Sequence, residues 1–107
     1  SVTQICEMLN AVTGWDFDPQ KLLIAGDRSM TLKRAISNKF GVTAEHDRMP
    51  EICTRVSDEG AIAGSTLDMD LMLKDYYAYR GWDMQTGKPK KEKLIELALD
   101  HVAAELY

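Results

Sequence analysis

The sequence predicts an all-α fold, a small irregular domain of about four main helices with one long irregular loop. Two observations carry that expectation. Apolar residues recur at helical spacing in four separate stretches, and no stretch alternates apolar and polar residues as a half-buried strand does. The three prolines, Pro19, Pro50 and Pro89, stand at or between these stretches, where they can start a helix without breaking one. At 107 residues and 45% hydrophobic content, a single domain over residues 1–107 accounts for the chain.

The elements follow in order. From Thr3 to Thr13, Ile5, Met8, Leu9 and Val12 fall at i, i+3, i+4 and i+7 on one helical face, and Ser1 with Gln4 can form a capping box ahead of them. A second helix is expected to begin at Pro19 with Asp18 as its N-cap and to run to about Phe40. Leu22, Leu23, Gly26, Met30, Ile36 and Phe40 would form its buried face over a length of about 33 Å. Gly41 suits a left-handed C-cap, with Val42 folding back towards Ile36. The stretch Thr43 to Ser65 carries Pro50, Gly60 and Gly64 and little periodicity, and is expected to be an irregular connection. A third helix is expected from Ser65 or Thr66 to Arg80, with Asp68 and Asp70 in its first turn and Met69, Met72, Leu73 and Tyr76 buried. A fourth starts near Pro89 and carries the stripe Leu94, Ile95, Ala98, Val102 and Leu106 to the C-terminus.

The tripeptide Gly-Trp-Asp occurs twice, at Gly14 and at Gly81. Each glycine ends a helix, so each is expected to take the left-handed position and to turn the next residue back as a plug, Trp15 near Leu9 and Trp82 near Tyr77. The flanking helices share little beyond amphipathicity, so the copies read as a recurrent corner and not as a functional repeat.

Several function classes lose support at this level. A net charge of −4 does not suit a surface that neutralises phosphates, so nucleic acid is not an expected partner. The longest apolar run, Leu22 to Ala25, is far short of the ~20 residues that cross a bilayer, so no membrane partner is expected and the chain reads as cytoplasmic. Cys6 and Cys53 lack a CxxC partner and read as two buried thiols. His46 and His101 lie in different elements, and His101 with Glu105 at i, i+4 does not complete a metal site. Phosphate loops, nucleophile elbows and HExxH are absent. Tyr76, Tyr77, Tyr79 and Trp82 read as core and corner packing, and the run Lys88 to Lys93 as a solvated helix start that could receive an acidic partner. Adjacent helical residues do not face each other, so Asp27 and Arg28 would each need a partner elsewhere. The residues alone thus name no catalytic, cofactor-binding or metal-binding side chain.

A resemblance goes further. LNAVTGWD (Leu9 to Asp16), Asp27-Arg28, Leu32-Lys33-Arg34, Asp47, Met49-Pro50, Tyr76-Tyr77, Arg80-Gly81-Trp82-Asp83, Gly87, Pro89 and Glu92-Lys93-Leu94 stand in the order found in the C-terminal part of the tungsten-containing aldehyde ferredoxin oxidoreductase family. The chain resembles that family over nearly its whole length. It departs where the family commonly has Asn, Phe-Asn and Arg, carrying Thr31, Ile36-Ser37 and Ile52, which points to a divergent member.

The resemblance implies a parent enzyme that oxidises an aldehyde to a carboxylic acid at tungsten or molybdenum held by two pterins, passing electrons through a [4Fe–4S] cluster to ferredoxin. The family's cluster cysteines and pterin motifs lie upstream of the matched segment, so no cofactor is expected in this fragment and it is expected to be inactive alone. Its partner would be the remainder of the parent enzyme, with ferredoxin as the parent's partner and homodimerisation left open. Two other readings stand beside it: a free-standing helical interaction module, and an enzyme in its own right using His46, Asp47 and nearby acids.

Overall fold

The computed structural model describes every residue from Ser1 to Tyr107 and contains six α-helices, one 3-10 turn and no sheet. The only strand-like pairing is an isolated antiparallel bridge between Trp82 and Pro89. Helix α1 spans Val2–Thr13. The expected capping box starts it: Gln4 N–H donates to Ser1 Oγ at 3.4 Å, and the terminal amine donates to Gln4 Oε1 at 2.8 Å. Gly14, at φ 73°, ends it with a single bond to the Asn10 carbonyl at 2.9 Å.

Trp15 is not the expected plug. Its N–H donates to Thr13 Oγ1 at 3.1 Å, so the bond that would fold it back onto α1 is missing, and the ring lies exposed against Phe17. Asn10 makes this corner instead. Its amide brackets Phe17, donating to the carbonyl and accepting from the N–H, both at 2.8 Å.

Helix α2 spans Pro19–Lys39, with Asp18 Oδ1 accepting from Lys21 N–H at 2.7 Å. Gly41 N–H bonds Asn38 O and Val42 N–H bonds Ser37 O, both at 3.0 Å, which is the Schellman pattern expected there. The buried face is different from the expected one. Thr31, Ala35 and Asn38 are buried, while Leu23, Met30, Ile36 and Phe40 are exposed. The reason is the neighbour: small residues let α2 approach the C-terminal helices closely, and Ala35 joins their core.

The stretch after α2 is mostly irregular, as expected, but holds a 3-10 turn at Ala44–His46 and a four-residue helix α3 at Glu51–Thr54. From Met49 to Leu67 every hydrogen bond stays within the stretch, including Gly64 N–H to Ser57 O at 2.8 Å. Helix α4 spans Met69–Arg80 and starts later than predicted, because Asp68 is the cap, accepting Leu71 N–H at 3.0 Å. Tyr77 is its buried residue, and the expected Met72 and Tyr76 are exposed. Gly81, at φ 67°, and Trp82 close it with bonds to Ala78 O and Tyr77 O. Trp82 does plug its corner, buried with its ring 5.7 Å from that of Tyr77.

The predicted fourth helix is two helices, α5 at Lys91–Glu96 and α6 at Asp100–Leu106. Between them Ala98 takes φ 54°, the one non-glycine residue with positive φ. Ala98 N–H bonds Ile95 O at 2.9 Å and Leu99 N–H bonds Leu94 O at 2.8 Å, so an alanine sits where a Schellman turn usually has glycine. The break turns Leu97 and Leu99 inward beside Leu94, Val102, Ala103 and Ala35, with Leu32 and Leu106 half-buried at the rim. This is the core of the molecule. No helix is long and apolar enough to cross a membrane.

Candidate functional site

Two polar clusters tie the helices together, and the first centres on Arg34 in the middle of α2. Its Nε donates to the Gly87 carbonyl at 2.7 Å, and Nη1 and Nη2 form a two-pronged pair with the Asp47 carboxylate at 2.8 and 2.7 Å. Nη2 also donates to Tyr77 Oη at 3.1 Å, and the Tyr77 hydroxyl donates to Asp47 Oδ2. The flat face of the guanidinium lies over Trp82, 4.9 Å from the ring centroid. In-plane donors meet oxygen and the face meets an indole, an arrangement that suits arginine and not lysine. One side chain thus joins α2, the residue after the 3-10 turn, α4, and the turn leading to α5.

The second cluster lies seven residues earlier on α2. Asp27 accepts from Arg80 Nη1 at 3.1 Å and from Lys93 Nζ at 2.8 Å, joining α2 to the end of α4 and to α5. Arg28, facing elsewhere, donates through Nε to the Leu97 carbonyl at 2.8 Å, just past the end of α5. The expectation that Asp27 and Arg28 would find separate partners is met.

The charges follow from these contacts. Burial alone would raise the Asp47 carboxyl, but hydrogen bonds from Arg34 and Tyr77 and the Arg34 charge hold it below the usual carboxylate range. Asp27 follows the same logic, burial opposed by Lys93 and Arg80, and also ends low. Burial and the hydrogen bond to Asp47 push the Tyr77 phenol up to about 12, against the opposing Arg34 charge. At neutral pH both clusters are therefore ionised, with Tyr77 protonated as donor.

The other residues weighed from sequence do not meet in one place. His46 is exposed and its Nδ1 accepts from Thr43 N–H at 3.1 Å, capping the 3-10 turn, while the adjacent Asp47 is engaged by Arg34 and Tyr77. Glu105 is taken by Lys39, leaving His101 beside it on the exposed side of α6. Cys6 is buried in α1, but Cys53 is exposed on α3, a correction to the two buried thiols: α3 is a four-residue helix with no buried residue and no hydrogen bond to another helix. The aromatic group also divides: Tyr77 and Trp82 are buried, whereas Tyr76 and Tyr79 face outward with Arg80 over their rings. The basic run divides too. Lys93 is bound by Asp27 and Lys88 lies over the Tyr107 ring, while Lys90 and Lys91 are exposed.

No three His, Cys, Asp or Glu side chains stand together as a metal site. Cys6 and Cys53, one buried and one exposed, do not fit the ligand set of an iron–sulfur cluster. What the arrangement does chemically is hold helices. In the sequence Arg34 and Gly87 stand only as motif landmarks, Tyr77 as the packing partner of Trp82, and Asp47 as a landmark also weighed as an acid beside His46; nothing but their order along the chain pointed to all four.

The family model for aldehyde ferredoxin oxidoreductase, domains 2 and 3, matches residues 1–99. The chain belongs to the aldehyde ferredoxin oxidoreductase family. It is 37% identical over 103 residues to a tungsten-containing aldehyde ferredoxin oxidoreductase of Pyrococcus furiosus, a match that covers 94% of this chain and 16% of the relative. Proteins of the same description from Pyrococcus abyssi and Thermococcus kodakarensis are 34% and 33% identical, over 88% and 87% of the chain and 16% of each relative. The chain therefore spans about a sixth of the length of the curated relatives it matches. Its two clusters give the family motifs a shared physical reason. Asp27, the Arg of L-K-R, Asp47, the second Tyr of Tyr-Tyr, Arg80, Trp82, Gly87 and Lys93 are far apart in sequence and meet in the two clusters, while Arg28 bonds the Leu97 carbonyl outside them.

Proposed function

We propose that the chain is the C-terminal structural portion of an aldehyde:ferredoxin oxidoreductase and carries no catalytic residue of its own. In the parent reaction an aldehyde and water become a carboxylic acid, with release of two protons and two electrons. Tungsten or molybdenum held by two pterins would accept the electrons, and a [4Fe–4S] cluster would pass them to ferredoxin. The role of this chain is to complete the helical shell over that cofactor and to wall part of the substrate channel, held in shape by Arg34 and Asp27.

The observation that carries the reading is the match of 94% of the chain, at 37% identity, to a tungsten-containing aldehyde ferredoxin oxidoreductase. The charged groups of the two clusters add support, because their donors and acceptors are paired with one another across the helices. A second reading, a free-standing helical interaction module, draws on the outward apolar face of α1. The coding sequence ahead of Ser1 separates the two: a CxxCxxxC within the same reading frame belongs to the oxidoreductase reading.

The direct test is elemental analysis and visible absorption of the purified 107-residue chain. The expected result is neither iron nor tungsten in stoichiometric amount and no visible absorption from an iron–sulfur cluster. Stoichiometric metal retained by the chain would overturn the proposal.

A further inference from the structure

Helix α1 buries the wrong side of itself. At about 100° per residue, Ile5, Met8, Leu9 and Val12 occupy an arc of roughly 100°, while the inward-facing Cys6 and Asn10 centre roughly 130° away from it. Cys6 is 3% exposed and Asn10 brackets Phe17, so the inward side is fixed by contacts within the chain. The apolar arc points the other way: Met8 is 70% and Val12 87% exposed, and Ile5, Met8, Leu9, Val12 and Thr13 line an open apolar groove of about 310 Å³. An amphipathic helix normally buries such an arc. Glu7 is the one charged residue among the twelve of α1, and it lies on the side away from the arc.

We infer that the outward arc of α1 is a docking face for the preceding part of the same polypeptide, an inference that rests on the reading of this chain as a portion of a longer oxidoreductase. The matched segment covers 16% of the Pyrococcus furiosus relative, so most of a relative's length lies outside it and is available as the occupant. The size of the face favours a tethered occupant over a second copy of the chain. Twelve residues at 1.5 Å each make a strip about 18 Å long and roughly 10 Å wide, on the order of 200 Å². Stable interfaces between separate molecules bury about 800 Å² per partner. A tethered segment meets the face at high effective concentration, so a small apolar strip is sufficient for it. The lack of charge along the arc fits the depletion of charged residues at the centre of buried interfaces.

Met8 is a built-in reporter. In the longer polypeptide, oxidation of Met8 by dilute hydrogen peroxide, followed by peptide mass spectrometry, is expected to be at least ~10-fold slower in the native state than in urea, since a covered thioether is shielded from oxidant. Met8→Glu and Val12→Glu are expected to lower the thermal midpoint of the longer polypeptide, while Glu7→Gln leaves it unchanged. Equal oxidation rates in native and unfolded states would overturn the docking face while leaving the family and the parent reaction intact. So would sedimentation of the 107-residue chain as a dimer dissolved by Met8→Glu, with Met8 unprotected in the longer polypeptide. A reading frame without any preceding coding sequence would overturn the docking face together with the oxidoreductase reading on which it rests.

Discussion

Gly87 shows how a residue without a side chain can be the least replaceable in a polar cluster. Its carbonyl accepts from Arg34 Nε, its φ is 72°, and a Cβ built on it would stand 2.3 Å from Arg34 Nη2 and 2.7 Å from the Ala44 amide nitrogen. Both neighbours are held, one by Asp47 and one as backbone, so neither can step aside. Gly87→Ala is expected to destabilise the chain by about 2–5 kcal/mol, the sum of left-handed strain and an overpacked contact. A loss below about 1 kcal/mol in urea unfolding would mean that Arg34 is not held there. Gly14 makes the contrast, with φ 73° but open space where a Cβ would go, so only backbone strain acts. From the sequence, Gly87 could be read as a landmark in Gly-x-Pro. Its contact with Arg34 could not, because 53 residues separate the two.

Among the elements, caps were legible and breaks were not. Ser1, Asp18, Gly41 and Gly81 act locally, through hydrogen bonds to residues within five positions, and the structure uses each as expected. Ala98 carries no such mark. Alanine favours helix, so the stripe from Leu94 to Leu106 reads as continuous until the core requires Leu97 and Leu99 to face the same way. Alanine in the left-handed region costs about 1–2 kcal/mol, and glycine there avoids the cost while losing more entropy on folding. Ala98→Gly is therefore expected to raise stability by about 0.5–1 kcal/mol, seen as a higher urea midpoint at unchanged slope. A lower midpoint would show that the left-handed turn is not what separates α5 from α6.

At the scale of the whole molecule, the chain is far more open than its length suggests. A compact domain of this size has a radius of gyration of about 13 Å. This one has 17.9 Å, with extents of 53 × 38 × 20 Å and 13 of 107 residues buried. With so small a core, the two ionic clusters carry much of the arrangement of α2, α4 and α5, and the pH dependence of stability follows from them. Asp27 and Asp47 have folded values below the unfolded value of about 3.9, so the stability they contribute is present above that value and lost as pH falls through the folded ones. Tyr77 is raised from about 10 to about 12, so its contribution is full below pH ~10 and lost as pH rises towards 12. Urea midpoints measured across pH are expected to hold steady between about 5 and 9.5 and to fall on both sides. A midpoint unchanged at pH 3 would show that the carboxylate clusters do not hold the helices.

The sequence by itself determined the helical class, the caps, the Trp82 corner and, through the order of its motifs, the family. Each depends on residues close in the chain or on their order along it. The tertiary structure alone decided which face each helix buries and which charges meet. Burial depends on what lies opposite: Ala35 and Thr31 are inside because the C-terminal helices approach there, and Met8 and Val12 are outside because nothing within these 107 residues covers them. Gly14-Trp15-Asp16 and Gly81-Trp82-Asp83 show the division most directly. The tripeptide is the same, yet Trp82 finds Tyr77 and Arg34 beneath it while Trp15, with Asn10 holding the turn, remains in solvent.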